Sequence, residues 1–238
     1  MKIKIFILLA TIATSCVNQI PQNEKENEHS DAIFQYSTKN GLITNDYIGT
    51  LDVKTIKQNG DFGLGTYNMV NGEMVIYDGN VYQVTTQNKI NNMSDEVLSP
   101  FVVTKFFQSD TVFSIDGNIS LDSLKSILTK NIKKPSLPIA VKIKAKFLHL
   151  QSRSVDKAEN LSTTLDEIVA KQTIFNFDNV EGKIIGFWYP NYFDGVNFPD
   201  FHLHVLLNDL SGGGHLLDCV IENPVVEFDY ATSVNIIL

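Results

Sequence analysis

Cysteine and positive charge are both scarce in this chain. It has two cysteines in 238 residues, Cys16 and Cys219, so a framework of several disulfides is excluded. Lysine and arginine together number 19 against 27 acidic residues, which gives a formal net charge of −8 at pH 7. Such an excess of negative charge argues against a nucleic-acid-binding surface, and no window combines aromatic and basic residues into a stripe.

The N-terminal apolar run is too short to span a membrane. It extends from Ile5 to Ile12, follows two lysines and ends in the small residues Ala13-Thr14-Ser15. This layout is typical of an export signal, and we predict that residues 1–15 are a signal peptide. Cys16 follows the small residues directly, as in bacterial lipoproteins, so we expect it to be the lipidated first residue of the mature chain. An ordinary cleaved signal with an incidental cysteine is the alternative.

Residues 16–31 contain almost no apolar side chains and are rich in Asn, Gln and Glu. Such a segment buries too little surface to offset the entropy of ordering it, so we predict a flexible tether after the lipidated cysteine. The sequence thus predicts an exported, membrane-anchored lipoprotein on the periplasmic or cell-surface side, or otherwise a periplasmic or secreted protein. Lipidation of Cys16 would leave Cys219 without an intramolecular disulfide partner.

Short β-prone segments separated by turn signals dominate residues 32–238. Asp78-Gly79 is a hairpin signal, and apolar residues alternate with lysines from Ile139 to Leu150. Helical patterns are few: one begins at Ser120, and Thr164 with Glu167 can form a capping box. We therefore predict an α/β (α+β), β-rich fold with mixed and antiparallel sheets and a few short helices.

Three of the five histidines lie in one window near the C-terminus. In the strand Phe201–Val205, His202 and His204 point to the same face because side chains alternate along a strand. The turn-rich segment Asn208–Gly214 should fold the chain back, so that a returning strand beginning at His215 brings a third imidazole to the same place. Three histidines are a common ligand set for catalytic zinc.

A structural role must be weighed against the metal site. A single histidine on a sheet face is usually hydrogen-bonded or half exposed, with no ligand function. Two at period-2 spacing with a third across a hairpin are harder to explain by packing. His-x-His also occurs in copper and non-haem iron sites, so the pattern indicates a metal better than it indicates which metal.

Several further motifs, in the same order, resemble those of the acetolactate decarboxylase family, and the resemblance runs from about Ile33 to Leu238. The segments that carry it are Gly60–Thr66, Asn71–Glu73, Ser99–Phe101, Ile174–Val180, Gly186-Phe187, His202–His204 and Gly213–His215.

The resemblance implies a zinc ion held by His202, His204 and His215. It also implies a catalytic glutamate and arginine, which map onto Glu73 and Arg153, with Thr66 beside Arg153 at the substrate. The implied reaction converts 2-acetolactate to acetoin and carbon dioxide, in the acetoin and butanediol route. Zinc would act as a Lewis acid, while Arg153 would orient the carboxylate and Glu73 would move a proton. The implied fold has two packed regions with mixed sheets, and the implied assembly is a homodimer.

The resemblance has one departure that bears on mechanism. The family commonly continues past the position of Leu238, and that tail carries another glutamate near the metal. We therefore expect Glu73, water or another segment to supply the proton. Two alternatives stay open: a catalytically impaired, metal-binding lipoprotein of the same fold, and another zinc lyase or hydrolase that uses the same three histidines.

Overall fold

The structure is a computed structural model, and it describes residues 31–238. The predicted signal peptide, Cys16 and all but the last residue of the predicted tether lie outside the described residues. Within residues 31–238, no helix is long and apolar enough to cross a membrane.

Strands outnumber helices in the described part of the chain, as the sequence predicts. The strands are β1 (Ala32–Tyr36), β2 (Leu51–Asp52), β3 (Phe62–Thr66), β4 (Glu73–Tyr77), β5 (Asn80–Val84), β6 (Ile90–Asn92), β7 (Leu98–Ser99), β8 (Phe101–Lys105), β9 (Thr111–Ser114), β10 (Asn118–Ser120), β11 (Ile139–Ser154), β12 (Thr173–Tyr189), β13 (Asp200–Leu207), β14 (Gly213–Tyr230) and β15 (Ser233–Ile237). The α-helices are α1 (Lys39–Ile43), α2 (Val53–Asn59), α3 (Leu121–Asn131) and α4 (Leu165–Ala170).

Two large sheets contain almost all of these strands. The first has seven strands in the order β15-β1-β8-β3-β4-β5-β6, and the pairing of β1 with β15 is its parallel one. The second has six strands: β10-β14-β11-β12-β13 in order, with β9 also paired to β14. Strands β2 and β7 form a small separate pair. The mixed and antiparallel pairing predicted from the sequence is confirmed.

The second sheet is built on three long strands. Strand β11 pairs with β12 on one side and with β14 on the other, while β13 pairs with both β12 and β14. Strands β11, β12, β13 and β14 therefore form a closed hydrogen-bonded circuit. Three register shifts between β11 and β14 bend this circuit and redirect side chains.

The two sheets pack face to face, with a helix on each outer side. Leu64 and Val75 of the first sheet meet Phe187 and Leu206 of the second in one buried cluster. On the far side of the first sheet, a second cluster contains residues of α2 and the alternate residues of β4: Val53, Ile56, Met74 and Ile76. On the far side of the second sheet, α3 packs into a third cluster. The result is a four-layer order of helix, sheet, sheet and helix.

Local sequence explains the helix that closes the second sheet. The Ser120 side chain accepts a hydrogen bond from the backbone N–H of Ser123, which caps α3 at its N-terminus. Leu121, Leu124 and Leu128 lie on one face and are buried against the sheet. Burial of each leucine contributes roughly 1.5–3 kcal/mol, and this face is what fixes the helix to the sheet.

One ion pair joins the two sheets where no water reaches it. Lys105 at the end of β8 is paired with Asp229 on β14, and both side chains are essentially unexposed. The other oxygen of Asp229 accepts a hydrogen bond from the backbone N–H of Gln108 at 2.8 Å. Burial of two charges is tolerated only when they are paired, so separating the sheets at this point would leave both charges uncompensated.

Candidate metal centre and active site

The histidine pattern has the geometry predicted from the sequence. Along β13, Leu203 and Val205 belong to the cluster under α3, whereas Leu206 belongs to the cluster between the two sheets. His202 and His204 share the parity of Leu206 and therefore face the first sheet. The returning strand begins two residues earlier than predicted, at Gly213 rather than His215, because Gly213 and Gly214 already pair with β13.

Three site residues are aligned across neighbouring strands. His204 on β13 is directly opposite His215 on β14, and His215 is opposite Arg153 on β11. Directly opposed residues on antiparallel strands project to the same face. Gly214 makes this close approach possible: its φ is +118°, and a Cβ there would lie 2.3 Å from the carbonyl oxygen of Arg153. Any other residue would push β14 away from β11.

The three imidazoles converge on one point. One ring nitrogen from each of His202, His204 and His215 can be chosen so that all lie within 4.8 Å of one another. Their ring centroids are 5.2 to 5.3 Å apart. Two nitrogens that each bind one zinc ion at about 2.0–2.1 Å are at most about 4.2 Å apart, so the rings need to move only slightly toward one another to hold one ion.

The hydrogen bonding of the rings leaves two buried nitrogens of this cluster without a partner. Nδ1 of His204 lies 2.8 Å from the carbonyl oxygen of Met74, which can only accept, so Nδ1 carries the proton and Nε2 is bare. Nε2 of His204 and Nδ1 of His202 are buried without a hydrogen-bond partner. Orphaned buried nitrogens are costly unless something binds them, and a metal ion fits both.

Burial keeps the three imidazoles neutral. Desolvation, followed by the nearby Arg153 guanidinium, lowers the pKa of His202 to about 3. Desolvation also lowers the pKa of His204 and of His215 well below the usual value, and the neighbouring positive groups add to this effect. Metal ligation requires the neutral ring, so the donor set is ready to bind without losing protons.

Glu73 and Arg153 form a buried pair beside the histidines. Arg153 Nη1 donates to Glu73 Oε1 at 2.9 Å, and their side chains are 14% and 8% exposed. The second carboxylate oxygen, Oε2, lies 3.4 Å from Nε2 of His204. Burial raises the pKa of Glu73, and the charge of Arg153 opposes that rise without cancelling it. Arg153 is the sole arginine of the chain.

Thr66 lines the same cavity, but its hydroxyl has a local partner. Thr66 is opposite Glu73 across β3 and β4, and Thr66 Oγ1 donates to the carbonyl oxygen of Gly72 at 2.8 Å. This hydrogen bond uses the hydroxyl proton and leaves the oxygen as an acceptor toward the cavity. The backbone turn that precedes Glu73 is held in place by the same contact.

All six predicted metal, catalytic and substrate residues line one cavity of about 410 Å³. Its other walls are mostly apolar, and the apolar residues that form them are Leu42, Val70, Phe101, Val155, Leu165, Val169, Phe198 and Phe201. Asp166 adds a second carboxylate at the exposed side, from α4. An apolar cavity with a few convergent polar groups is typical of a small-molecule site.

Two features of the site carry no signal in the sequence. The Met74 carbonyl that orients His204 is a backbone group, which any residue would supply. No local pattern shows that α4 lies against the cavity. The other described histidine, His149, lies outside the cavity, with Nδ1 3.0 Å from Asp178 Oδ1.

The fold and the site together define a class of protein. It is a β-rich protein with two packed sheets. Three histidines that can bind a metal ion line a small-molecule cavity, next to a buried carboxylate–guanidinium pair.

Comparison with known proteins gives the family. The sequence model of the alpha-acetolactate decarboxylase family matches residues 33–238. The alpha-acetolactate decarboxylase of Methanosarcina mazei is 36% identical over 215 residues, which cover 90% of this chain and 74% of that protein. The chain belongs to the alpha-acetolactate decarboxylase family and is a carboxy-lyase.

Solved structures agree with this assignment. The crystal structure of alpha-acetolactate decarboxylase from Bacillus subtilis strain 168 superposes with a TM-score of 0.84 at 31% identity, over 87% of this chain and 88% of that one. A Staphylococcus aureus protein of unknown function, similar to alpha-acetolactate decarboxylase, superposes with a TM-score of 0.83 at 23% identity, over 86% and 88% of the chains. The second comparison supports the fold alone.

Proposed function

We propose that this chain decarboxylates 2-acetolactate to acetoin and carbon dioxide, with a zinc ion held by His202, His204 and His215. The observation that carries the proposal is the convergence of these three imidazoles beside the Arg153–Glu73 pair in one cavity. Membership of the family supports the reaction, and a three-histidine donor set, which is common for catalytic zinc, supports the choice of zinc.

The donor set favours zinc chemistry. Three neutral imidazoles leave the full positive charge on the metal, and zinc with three protein ligands keeps a position open for substrate. When bound, the ion acts as a Lewis acid that draws electrons from a substrate oxygen. The apolar cavity walls exclude water and strengthen every charge interaction inside.

Arg153 is placed to receive the carboxylate of the substrate. Its guanidinium has several N–H donors, of which one is committed to Glu73. Carboxylates pair with guanidinium groups through charge-assisted hydrogen bonds, so Arg153 can hold the leaving carboxylate at one end of the cavity. The tertiary hydroxyl and the ketone then face the histidines.

Glu73 is placed to move the proton that the reaction consumes. When carbon dioxide leaves, the electron pair of the broken C–C bond passes onto the ketone oxygen, and the product needs one proton at the carbon that lost the carboxylate. Burial raises the pKa of Glu73, which brings this carboxyl closer to the range in which it can give up and regain a proton in the low-polarity cavity. Water then returns a proton to Glu73. Thr66 supports this role because it holds the turn before Glu73.

The test of the reaction is production of acetoin. Zinc-loaded protein is incubated with racemic 2-acetolactate, and acetoin and carbon dioxide are measured against the spontaneous rate. We expect acetoin and carbon dioxide in equal amounts. Acetoin no faster than without protein would reject the proposal and favour a metal-binding protein that has lost the reaction.

The test of the metal is stoichiometry. Wild-type protein should hold one zinc ion per chain, and His204→Ala should abolish this binding, as measured by elemental analysis after dialysis. His149→Ala is the matched control, since His149 lies outside the cavity. Equal metal content in wild type and His204→Ala would refute the ligand set, and another metal in the isolated protein would refute zinc.

We also propose that the chain is exported and lipid-anchored at Cys16. The lysines, apolar run and small residues before Cys16 support this, as does the polar segment after it. Cys16→Ser should move the protein from the membrane fraction to the soluble fraction. A wild-type protein that is soluble from the start would reject the anchor.

The homodimer remains a proposal as well, and the resemblance to the family supports it. Size-exclusion chromatography with light scattering should give twice the mass of one chain for residues 32–238. A monomer at all concentrations would reject it.

A further inference from the structure

His202 differs from His204 in what orients its ring. The ring of His204 is anchored by its hydrogen bond to the Met74 carbonyl oxygen. Among the described residues, His202 makes no such bond, and its Nδ1 is buried without a partner. Packing contacts must therefore hold this ring in the orientation that brings one of its nitrogens close to the other two imidazoles.

Phe198 packs against His202 from outside the histidine cluster. Its ring lies edge-on to the ring of His202, with the centroids 4.8 Å apart. Phe198 is in turn held by Phe101, whose ring is 6.1 Å away at an interplanar angle of 90°. The edge-to-face arrangement favours one ring orientation over others, since the edge of one ring meets the face of the other.

A buried amide pair fixes the backbone at Phe198. The backbone N–H of Phe198 donates to Asn197 Oδ1 at 2.7 Å, and Asn197 Nδ2 donates to Gln35 Oε1 at 2.8 Å. Gln35 Nε2 donates to the carbonyl oxygens of Ser37 and Val196 at 2.9 and 2.8 Å. Gln35 and Asn197 are 0% and 1% exposed.

This network ties the histidine strand to the other sheet. Gln35 is on β1 in the first sheet, while Asn197 lies three residues before the start of β13. Buried amides with satisfied donors and acceptors are rigid, because any movement leaves a polar group unpaired. The position of Phe198, and through it the ring of His202, is therefore set by β1.

We propose that Phe198 is a positioning residue for His202, held by the Asn197–Gln35 amide pair, and that it sets the affinity of the three-histidine site for its metal. The inference rests on the proposed function, because it requires that the three histidines bind a metal ion. Groups that orient metal ligands contribute to affinity without touching the metal.

The experiment compares zinc affinities by competition with a chromophoric chelator. Phe198→Ala should weaken zinc binding by roughly tenfold, the lower end of the range for groups that orient ligands. Phe198→Tyr keeps the ring and should bind zinc as the wild type does. Gln35 does not line the cavity, and Gln35→Leu breaks the amide pair that holds Phe198. This variant should therefore also weaken zinc binding.

Thr104→Val is the matched control. Thr104 is fully buried on β8, and its hydroxyl donates to the Phe62 carbonyl oxygen at 3.0 Å, away from the histidines. Its loss removes a buried hydrogen bond without touching the network, so zinc affinity should not change. Phe198→Leu keeps most of the volume and serves if Phe198→Ala does not fold.

A second readout is the visible spectrum of the Co²⁺-loaded protein, which reports ligand geometry. Its bands should change in Phe198→Ala and Phe198→Leu but not in Thr104→Val. If Phe198 only touches the substrate, Phe198→Ala would raise KM but leave zinc affinity and the Co²⁺ spectrum unchanged. That result would reject the inference, while the proposed function would stand. A wild-type protein that takes up no zinc would overturn both.

Discussion

Arg153 and His215 are directly opposed on β11 and β14, and their backbones are so close that a Cβ at Gly214 would meet the Arg153 carbonyl oxygen at 2.3 Å. One ladder of backbone hydrogen bonds therefore places both the predicted carboxylate-binding group and a predicted metal ligand. Because His204 is opposite His215 in the same row, a change in the spacing of β14 would disturb all three side chains together.

Gly214→Ala should damage the fold and the metal site at once. The φ of +118° and the contact with the Arg153 carbonyl together disfavour any side chain here. We expect a loss of unfolding free energy on the order of 1–3 kcal/mol, the range for a residue forced into a sparsely populated backbone region. Urea unfolding gives the stability, and chelator competition gives the accompanying loss of zinc affinity.

Gly79→Ala is the control for that substitution. Gly79 also has a positive φ, +74°, but a Cβ there has nothing within 4 Å. It should cost only the conformational penalty of about 1 kcal/mol and leave zinc affinity unchanged. Equal effects of the two substitutions on zinc would show that close approach of β11 and β14 does not shape the site.

Arg153→Lys should separate catalysis from metal binding. Lysine keeps the positive charge but lacks the planar fork that can bind a substrate carboxylate while still pairing with Glu73. We expect kcat/KM for acetolactate to fall by roughly 100-fold, the effect of losing one preorganised donor, with zinc content unchanged. Steady-state acetoin formation and elemental analysis measure the two effects. Activity within error of the wild type would remove Arg153 from the mechanism.

Acid should destabilise the metal-free protein through its buried histidines. Burial lowers the pKa of His202 to about 3, whereas the unfolded chain has an ordinary value of about 6.5. Between these values the unfolded state binds the proton and the folded state does not, so the unfolding free energy falls as pH drops below about 6.5. Urea unfolding at pH 7.5 and pH 5 measures the loss.

His202→Gln isolates this effect from other titrating groups. Burial raises the pKa of Asp229 to about 6, which acts with the opposite sign over part of the same range. The wild type should lose more stability than His202→Gln between the two pH values. Parallel pH profiles would mean that His202 is not held neutral in the fold.

Lys105→Met should be among the more damaging single substitutions away from the cavity. It would leave the carboxylate of Asp229 buried without its partner, at a cost of about 3–5 kcal/mol. Adding Asp229→Leu removes that unpaired charge, so the double variant should recover most of the loss. Thermal and urea unfolding of the three proteins test this.

Lys171→Met is the contrasting control, because Lys171 and Glu159 form an ion pair whose side chains are 69% and 72% exposed. It should change stability by less than about 1 kcal/mol. A double variant as unstable as Lys105→Met would show that the lost packing, and not the unpaired charge, is what matters.

Local patterns predicted those features that depend on neighbouring residues. The alternation in β13 placed His202 and His204 on one face, and the capping box of Thr164 and Glu167 begins α4 as expected. The boundary of β14 was wrong by two residues, since turn-type glycines were read as loop although Gly213 and Gly214 pair with β13. At these two glycines, backbone pairing between strands outweighed the local preference for a turn.

The partners of Glu73 could not be predicted from local patterns. Taken alone, Glu73 follows a turn and reads as a solvated residue, and only the resemblance to the family raised it to a candidate. In the structure it is buried against Arg153, 80 residues away, because β4 and β11 lie in different sheets that pack together. The same holds for the part of the cavity that α4 forms and for the contact of Phe198 with His202, because both depend on how separate segments pack.

The sequence by itself determined the β-rich fold class, the shared face of His202 and His204 and the family, because these follow from spacing, alternation and motif order. The tertiary structure decided which groups meet the three imidazoles: the Met74 carbonyl, the Glu73 carboxylate, the Arg153 guanidinium and the Phe198 ring. These contacts depend on how the two sheets pack, and packing between distant segments is set by the whole core and not by any local run of residues.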